Sequence, residues 1–172
     1  MNFNGFAGTR LMSAALDGLN RSINQTANYL RDNVLLEMID PHWDSPVWDY
    51  RLFKEQLVSA FIVLDFMDSH IPTIRRDFYN AVCDVGFVSL KPVATLATMT
   101  RYLVVAHQLK AYMETWKALI DAGKDVDDFD AIILIECRKH LIQGVKKCRE
   151  LKAMDILDAK HYCQALLEGD RQ

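Results

Sequence analysis

Glycine is scarce in this chain, with 7 among 172 residues, and proline is scarcer, with 4. The shortage of glycine leaves no phosphate-cradling loop, no Gly-x-Ser-x-Gly nucleophile turn and no Gly/Ser linker that would divide the chain. Internal repeats and low-complexity stretches are also missing. No uncharged run approaches the roughly 20 residues needed to cross a bilayer, so no membrane span is expected. The opening MNFNGFAGTR has no basic region followed by a long apolar one and no glycine at position 2. A cytoplasmic protein is therefore expected. The four cysteines, Cys83, Cys137, Cys148 and Cys163, are then free thiols.

What is present is a folding composition: 51% hydrophobic and 25% charged residues, ordinary values for a globular domain. The prolines organise it. Pro41, Pro46, Pro72 and Pro92 fall between stretches of helical periodicity, and none occurs in the last 80 residues. Proline lacks a backbone N–H and marks helix starts and ends. Phe61–Leu64 and Ile132–Ile135 would suit short strands if taken alone, but their flanks hold helical register. The expected fold is all-α. Residues 1–172 form one domain, a bundle of five to six helices around a central apolar helix, with 1–9 as a flexible tail.

Residues 10–39 read as a long amphipathic helix, with Met12, Leu16, Leu19, Ile23, Ala27, Leu30, Val34 and Met38 in one narrow stripe. Such a seam suits pairing with another helix. Ser45 and Pro46 look like a cap and first turn for a helix reaching Asp68. Its stretch from Leu57 to Met67 is apolar nearly all round, which makes it the central helix. Pro72 opens a helix to about Asp84. Pro92 opens the longest one, to about Ala122, striped by Val93, Leu96, Met99, Leu103, Ala106, Leu109, Met113, Trp116 and Ile120 and stopped by Gly123. Residues 128–152 read as one helix. The last runs from about Asp155, an N-cap, to Glu168.

Net charge is −3, too acidic overall to favour a nucleic-acid partner. It is unevenly placed: residues 121–136 carry −5 and residues 138–152 carry +5. On a single helix that polarity would complement the macrodipole. Asp125, Asp127 and Glu136 have the spacing of calcium-loop positions 1, 3 and 12. Phe129 and Asp130, however, occupy positions 5 and 6, where an oxygen ligand and a glycine are needed. Cys137, His140, His161 and Cys163 supply four zinc-type ligands, with Cys137-x-x-His140 on one helical turn. Against this, Cys137 and Cys148 lie in register with Leu134, Leu141 and Val145, as core residues would.

Arg101-Tyr-Leu-Val-Val-Ala-His107 is similar to the Arg-x(4–6)-His motif of the HEPN family. These are all-α, usually dimeric domains, many of them metal-independent ribonucleases. The resemblance covers seven residues. It implies that Arg101 stabilises phosphate charge and His107 transfers protons at a dimer cleft. Residues six apart on a straight helix lie about 120° apart, which does not favour one shared site.

The reading that follows is a non-enzymatic protein acting through amphipathic helix faces, with no cofactor. Its expected partner is a second copy or another helical protein. The expected interface is Leu16, Leu19, Ile23 and Leu30, with Trp43 and Trp48 as aromatic anchors. A HEPN-like ribonuclease using Arg101 and His107 is one alternative. A zinc module using Cys137, His140, His161 and Cys163 is the other.

Overall fold

The computed structural model describes residues 6–40, 42, 47–67, 72–86, 92–122 and 128–171. Among the described residues the chain is almost wholly helical, with no strand. Helix α1 (Phe6–Tyr29) passes through a π-helical segment (Leu30–Val34) into α2 (Leu35–Ile39). It is followed by α3 (Tyr50–Gln56), α4 (Val58–Met67), α5 (Pro72–Gly86), α6 (Pro92–Asp121), α7 (Asp128–Lys139), α8 (Leu141–Lys152) and α9 (Ile156–Asp170). Pro72 and Pro92 open their helices as expected. Pro41, Trp43, Ser45, Pro46 and Gly123 lie outside the described residues. Two compact units are formed, one by Leu11–Lys110 and the other built mainly from Ala111–Gln172.

In the first unit α1 buries a broad face. Met12, Ala15, Leu16, Leu19 and Ile23 are joined there by Ser22 and Thr26, both fully buried, whereas Ala27 and Met38 are exposed. The expected narrow stripe is thereby corrected. Position 26 differs from 27 by 100° around the helix, and the core takes the threonine rather than the alanine. The hydroxyls remain satisfied. Thr26 donates to the Ser22 carbonyl and Ser22 to the Leu19 carbonyl, both at 2.8 Å. The one hydrogen of Ser22 is then used, so the Tyr102 phenol donates to Ser22 Oγ across 2.5 Å.

Around Tyr102 the rings pack edge-on or tilted, with Phe53 at 4.8 Å and Phe78 at 6.1 Å between centroids. Leu30 and Val34 of the π-helical segment pack on Met99, with Tyr29, Trp48, Leu96 and Leu103 around them. The stripe expected on α6 holds and is widened: Met99, Ala106, Leu109, Met113 and Trp116 are buried, Tyr102 and Tyr112 join them, and only Val93 of the expected positions is exposed.

The helix expected from Pro46 to Asp68 is two helices. The first starts at Tyr50, where Asp49 caps it by accepting from the Leu52 N–H at 3.0 Å. It breaks at Leu57 (φ −97°, ψ −1°). Beside the break, Gly18 of α1 faces the Gln56 carbonyl so closely that a Cβ would stand 2.0 Å from the oxygen. Helix α4 lacks the all-round burial expected of a central helix. Its Ala60, Val63 and Leu64 are buried, but Val58 and Ile62 are exposed.

In the second unit the helix expected over 128–152 is a hairpin. His140 alone, in extended conformation (φ −163°, ψ 127°), joins α7 to α8, and its Nδ1 accepts from the Ile142 N–H at 3.3 Å. The reversal brings Gly144 of α8 onto α7, where a Cβ would meet Cys137 Sγ at 2.0 Å. Only glycine permits that approach. Asp155 caps α9 as expected, accepting from the Leu157 and Asp158 N–H groups at 2.8 and 2.9 Å. Arg138 ties three helices together by bonding Thr115 of α6 and Asp170 of α9.

Candidate functional site

The residues expected at an interface are placed unequally. Leu16, Leu19, Ile23 and Leu30 are between 0 and 9% exposed. They are spent on the interior of their own unit, because α1 has a wide buried face rather than a free seam. Trp43 lies outside the described residues. Trp48 is half-buried against Tyr29 and Phe53, with centroids at 5.0 and 5.5 Å, and its indole N–H has no hydrogen-bond partner.

Apolar surface is presented elsewhere. Helix α2 buries no side chain: Leu35, Leu36, Met38 and Ile39 are all exposed, Ile39 to 81%. A second exposed apolar area lies on the hairpin and α9. There Leu141, Ile142, Val145, Ile156 and Lys160 line a groove of about 220 Å³, with Ile142 at 71% and Ile156 at 65% exposure.

The residues with chemical potential do not converge as the alternatives require. Arg101 is ion-paired to Asp84 at 2.8 Å, and His107 is exposed five places beyond buried Tyr102 on the same helix. Of the four zinc candidates, Cys137 and Cys163 are buried and in thiol–thiol contact, while His140 and His161 are exposed. Cys148, not a histidine, is the third member of that cluster. No group of three or more His, Cys, Asp or Glu among the described residues is arranged to hold a metal ion. Burial pushes all three thiols up, Cys148 to about 11 and Cys163 to about 12. They are neutral and poor nucleophiles, since thiolate is the reactive form. Of the calcium-type spacing, Asp125 and Asp127 lie outside the described residues, and Glu136 pairs with Lys139 at 2.8 Å.

One polar constellation was not singled out from the sequence. Asp130, 4% exposed in the first turn of α7, accepts from the Tyr162 phenol of α9 and lies 3.1 Å from Lys152 Nζ of α8. The ammonium also sits 4.6 Å from the centre of the Tyr162 ring. Burial and the hydrogen bond to Asp130 push the Tyr162 phenol up to about 12. A signal was available: Asp130 precedes Ile133, Leu134 and Cys137 by three, four and seven positions, so it occupies the apolar stripe of α7. The cluster joins the start of α7, the end of α8 and the middle of α9. Each group has a partner within the protein, which fits a structural brace better than a site for substrate.

Compared with protein-family models, with curated proteins and with solved structures, the chain has no match.

Proposed function

We propose that this chain is a non-enzymatic assembly protein that associates with further copies of itself through apolar helix surfaces. The observation that carries this reading is α2, five residues of which four are large, apolar and exposed. A helix end that is left partly uncovered by its own chain gains by burying the remaining apolar surface against another, at about 25 cal/mol per Å² of apolar area removed from water. The contact moves accordingly from Leu19 and Ile23, which hold the unit together, to Leu35, Leu36, Met38 and Ile39.

Sedimentation equilibrium of the full chain tests the reading. The wild type is expected to form dimers or larger multiples of 19.7 kDa. Leu35→Asp with Ile39→Asp is expected to shift it towards monomer with its helical circular dichroism unchanged. A wild type that stays monomeric at high micromolar concentration overturns the proposal.

A further inference from the structure

Three of the four cysteines meet in the second unit, one from each of α7, α8 and α9. Cys163 is hydrogen-bonded to Cys137 on one side and to Cys148 on the other. Cys148 Sγ also reaches Met154 Sδ at 3.8 Å. The close approach of Gly144 leaves room for the Cys137 sulfur, which a β-carbon on that glycine would meet at 2.0 Å. Ile133, Ala159 and Leu166 pack in the same cluster. Nearness in the chain does not account for the meeting, because Cys137 and Cys163 are the farthest apart of the three in sequence.

Packing alone would be served by small apolar residues. Sulfurs in mutual contact add a chemistry that alanine and valine lack, which is oxidation to a disulfide. The three thiols are not equivalent. Cys137 keeps 5% of its surface exposed, whereas Cys148 and Cys163 keep none. A small oxidant therefore meets Cys137 first, with Cys163 in contact behind it.

From this arrangement we infer that Cys137 and Cys163 are an oxidation site, which a hydroperoxide converts into a disulfide between α7 and α9. With hydrogen peroxide the Cys137 sulfur, giving up its proton, attacks one peroxide oxygen. The O–O bond breaks, leaving Cys137 as a sulfenic acid and releasing water. The Cys163 sulfur then attacks the sulfenic sulfur. An S–S bond forms, the S–O bond breaks, and the hydroxyl leaves with the Cys163 proton as a second water. The two thiols lose two electrons and the peroxide gains them. Neutral thiols make the first step slow, but the resolving thiol is already in place, so the sulfenic acid is captured before a second oxidation. The cross-link ties α9 to α7 and restricts the unfolded states of the second unit.

Peptide mapping tests the site. The full chain carrying Cys83→Ser, which removes the half-buried fourth thiol, is treated with excess hydrogen peroxide, once native and once unfolded in urea. Remaining thiols are alkylated and the tryptic peptides are identified by mass spectrometry. The native protein should yield peptides 125–138 and 161–171 joined through Cys137 and Cys163. This link should exceed either link to Cys148 by about tenfold, because packing holds the reacting pair together. In urea, links to Cys148 should predominate, since closing a shorter loop costs less entropy. Adding Cys163→Ala should abolish the cross-link and let Cys137 accumulate as sulfinic acid, with circular dichroism verifying the fold. If that variant unfolds, the comparison of native and urea-treated protein decides alone. The site is overturned if native Cys137 and Cys163 stay reduced, reach the sulfinic stage unlinked, or join Cys148 as readily as each other.

Discussion

Gly18 of α1 lies against the backbone carbonyl of Gln56, leaving 2.0 Å between that oxygen and the place a β-carbon would occupy. The obstacle is main chain at a helix end, which cannot swing away as a side-chain tip can. Alanine favours a helix over glycine by roughly 1 kcal/mol, but overpacking against a fixed neighbour costs about 1–3 kcal/mol. Gly18→Ala is therefore expected to lower stability, read as a lower urea midpoint with an unchanged slope. An increase would show that α1 and α3 can separate without loss.

Ala153 predicts a change of opposite sign. It ends α8 in the left-handed region, at φ 53°, the one non-glycine residue there among those described. A β-carbon in that conformation costs about 1–2 kcal/mol, and the position is exposed. Ala153→Gly should raise the melting temperature by a few degrees. A fall would mean that the cost in unfolded-chain entropy outweighs the relieved strain.

Asp130 supports a third prediction. Removing it takes away the carboxylate 3.1 Å from Lys152 Nζ, on a side chain only 12% exposed. Breaking a buried pair from one side typically costs about 3–5 kcal/mol. Asp130→Ala should be among the most damaging single changes in the second unit, measured by chemical denaturation. Asp130→Ala combined with Lys152→Met removes both charges and should recover part of that loss. If the double variant is no more stable than the single, the two side chains do not act as a pair.

The thiols and Tyr162 set the alkaline limit. Their folded values are raised, Cys148 to about 11 and Cys163 and Tyr162 to about 12, above ordinary values of 9.0 for the thiols and 10.0 for the phenol. The folded state holds protons that the unfolded chain releases. Their contribution is complete below about pH 9, declines as pH rises, and is gone above about pH 12. The matching chemical readout is alkylation at pH 8. Half-buried Cys83 should react in the native protein, and Cys137, Cys148 and Cys163 only on unfolding. Rapid native labelling of Cys163 would contradict its burial.

Helix existence was legible from periodicity and punctuation. Pro72 and Pro92 begin α5 and α6, and Asp155 caps α9, because these residues act through their own backbone geometry and short side chains. Partners across the fold were not legible in that way. The stripe on α1 included Ala27 and missed Thr26 because a polar residue enters the interior only when a specific neighbour satisfies it. Here that neighbour is the backbone one turn earlier. The apolar positions of α1 were found, but whether they faced the core or a partner was not. Periodicity reports that a face is apolar and says nothing of what covers it.

By itself, then, the sequence determined what is local: an all-helical chain, its proline-marked starts and its opposing charge blocks. The tertiary structure decided what depends on distant groups. It broke 128–152 at His140 so that Gly144 could meet Cys137, and it split 50–67 at Leu57 beside Gly18. It joined Asp130, Lys152 and Tyr162 from three helices, and left Leu35–Ile39 exposed while burying Leu19 and Ile23. The reason is energetic. Hydrogen bonds and caps within a turn are set by neighbours in the chain, whereas burial and charge pairing depend on whichever surface arrives from elsewhere.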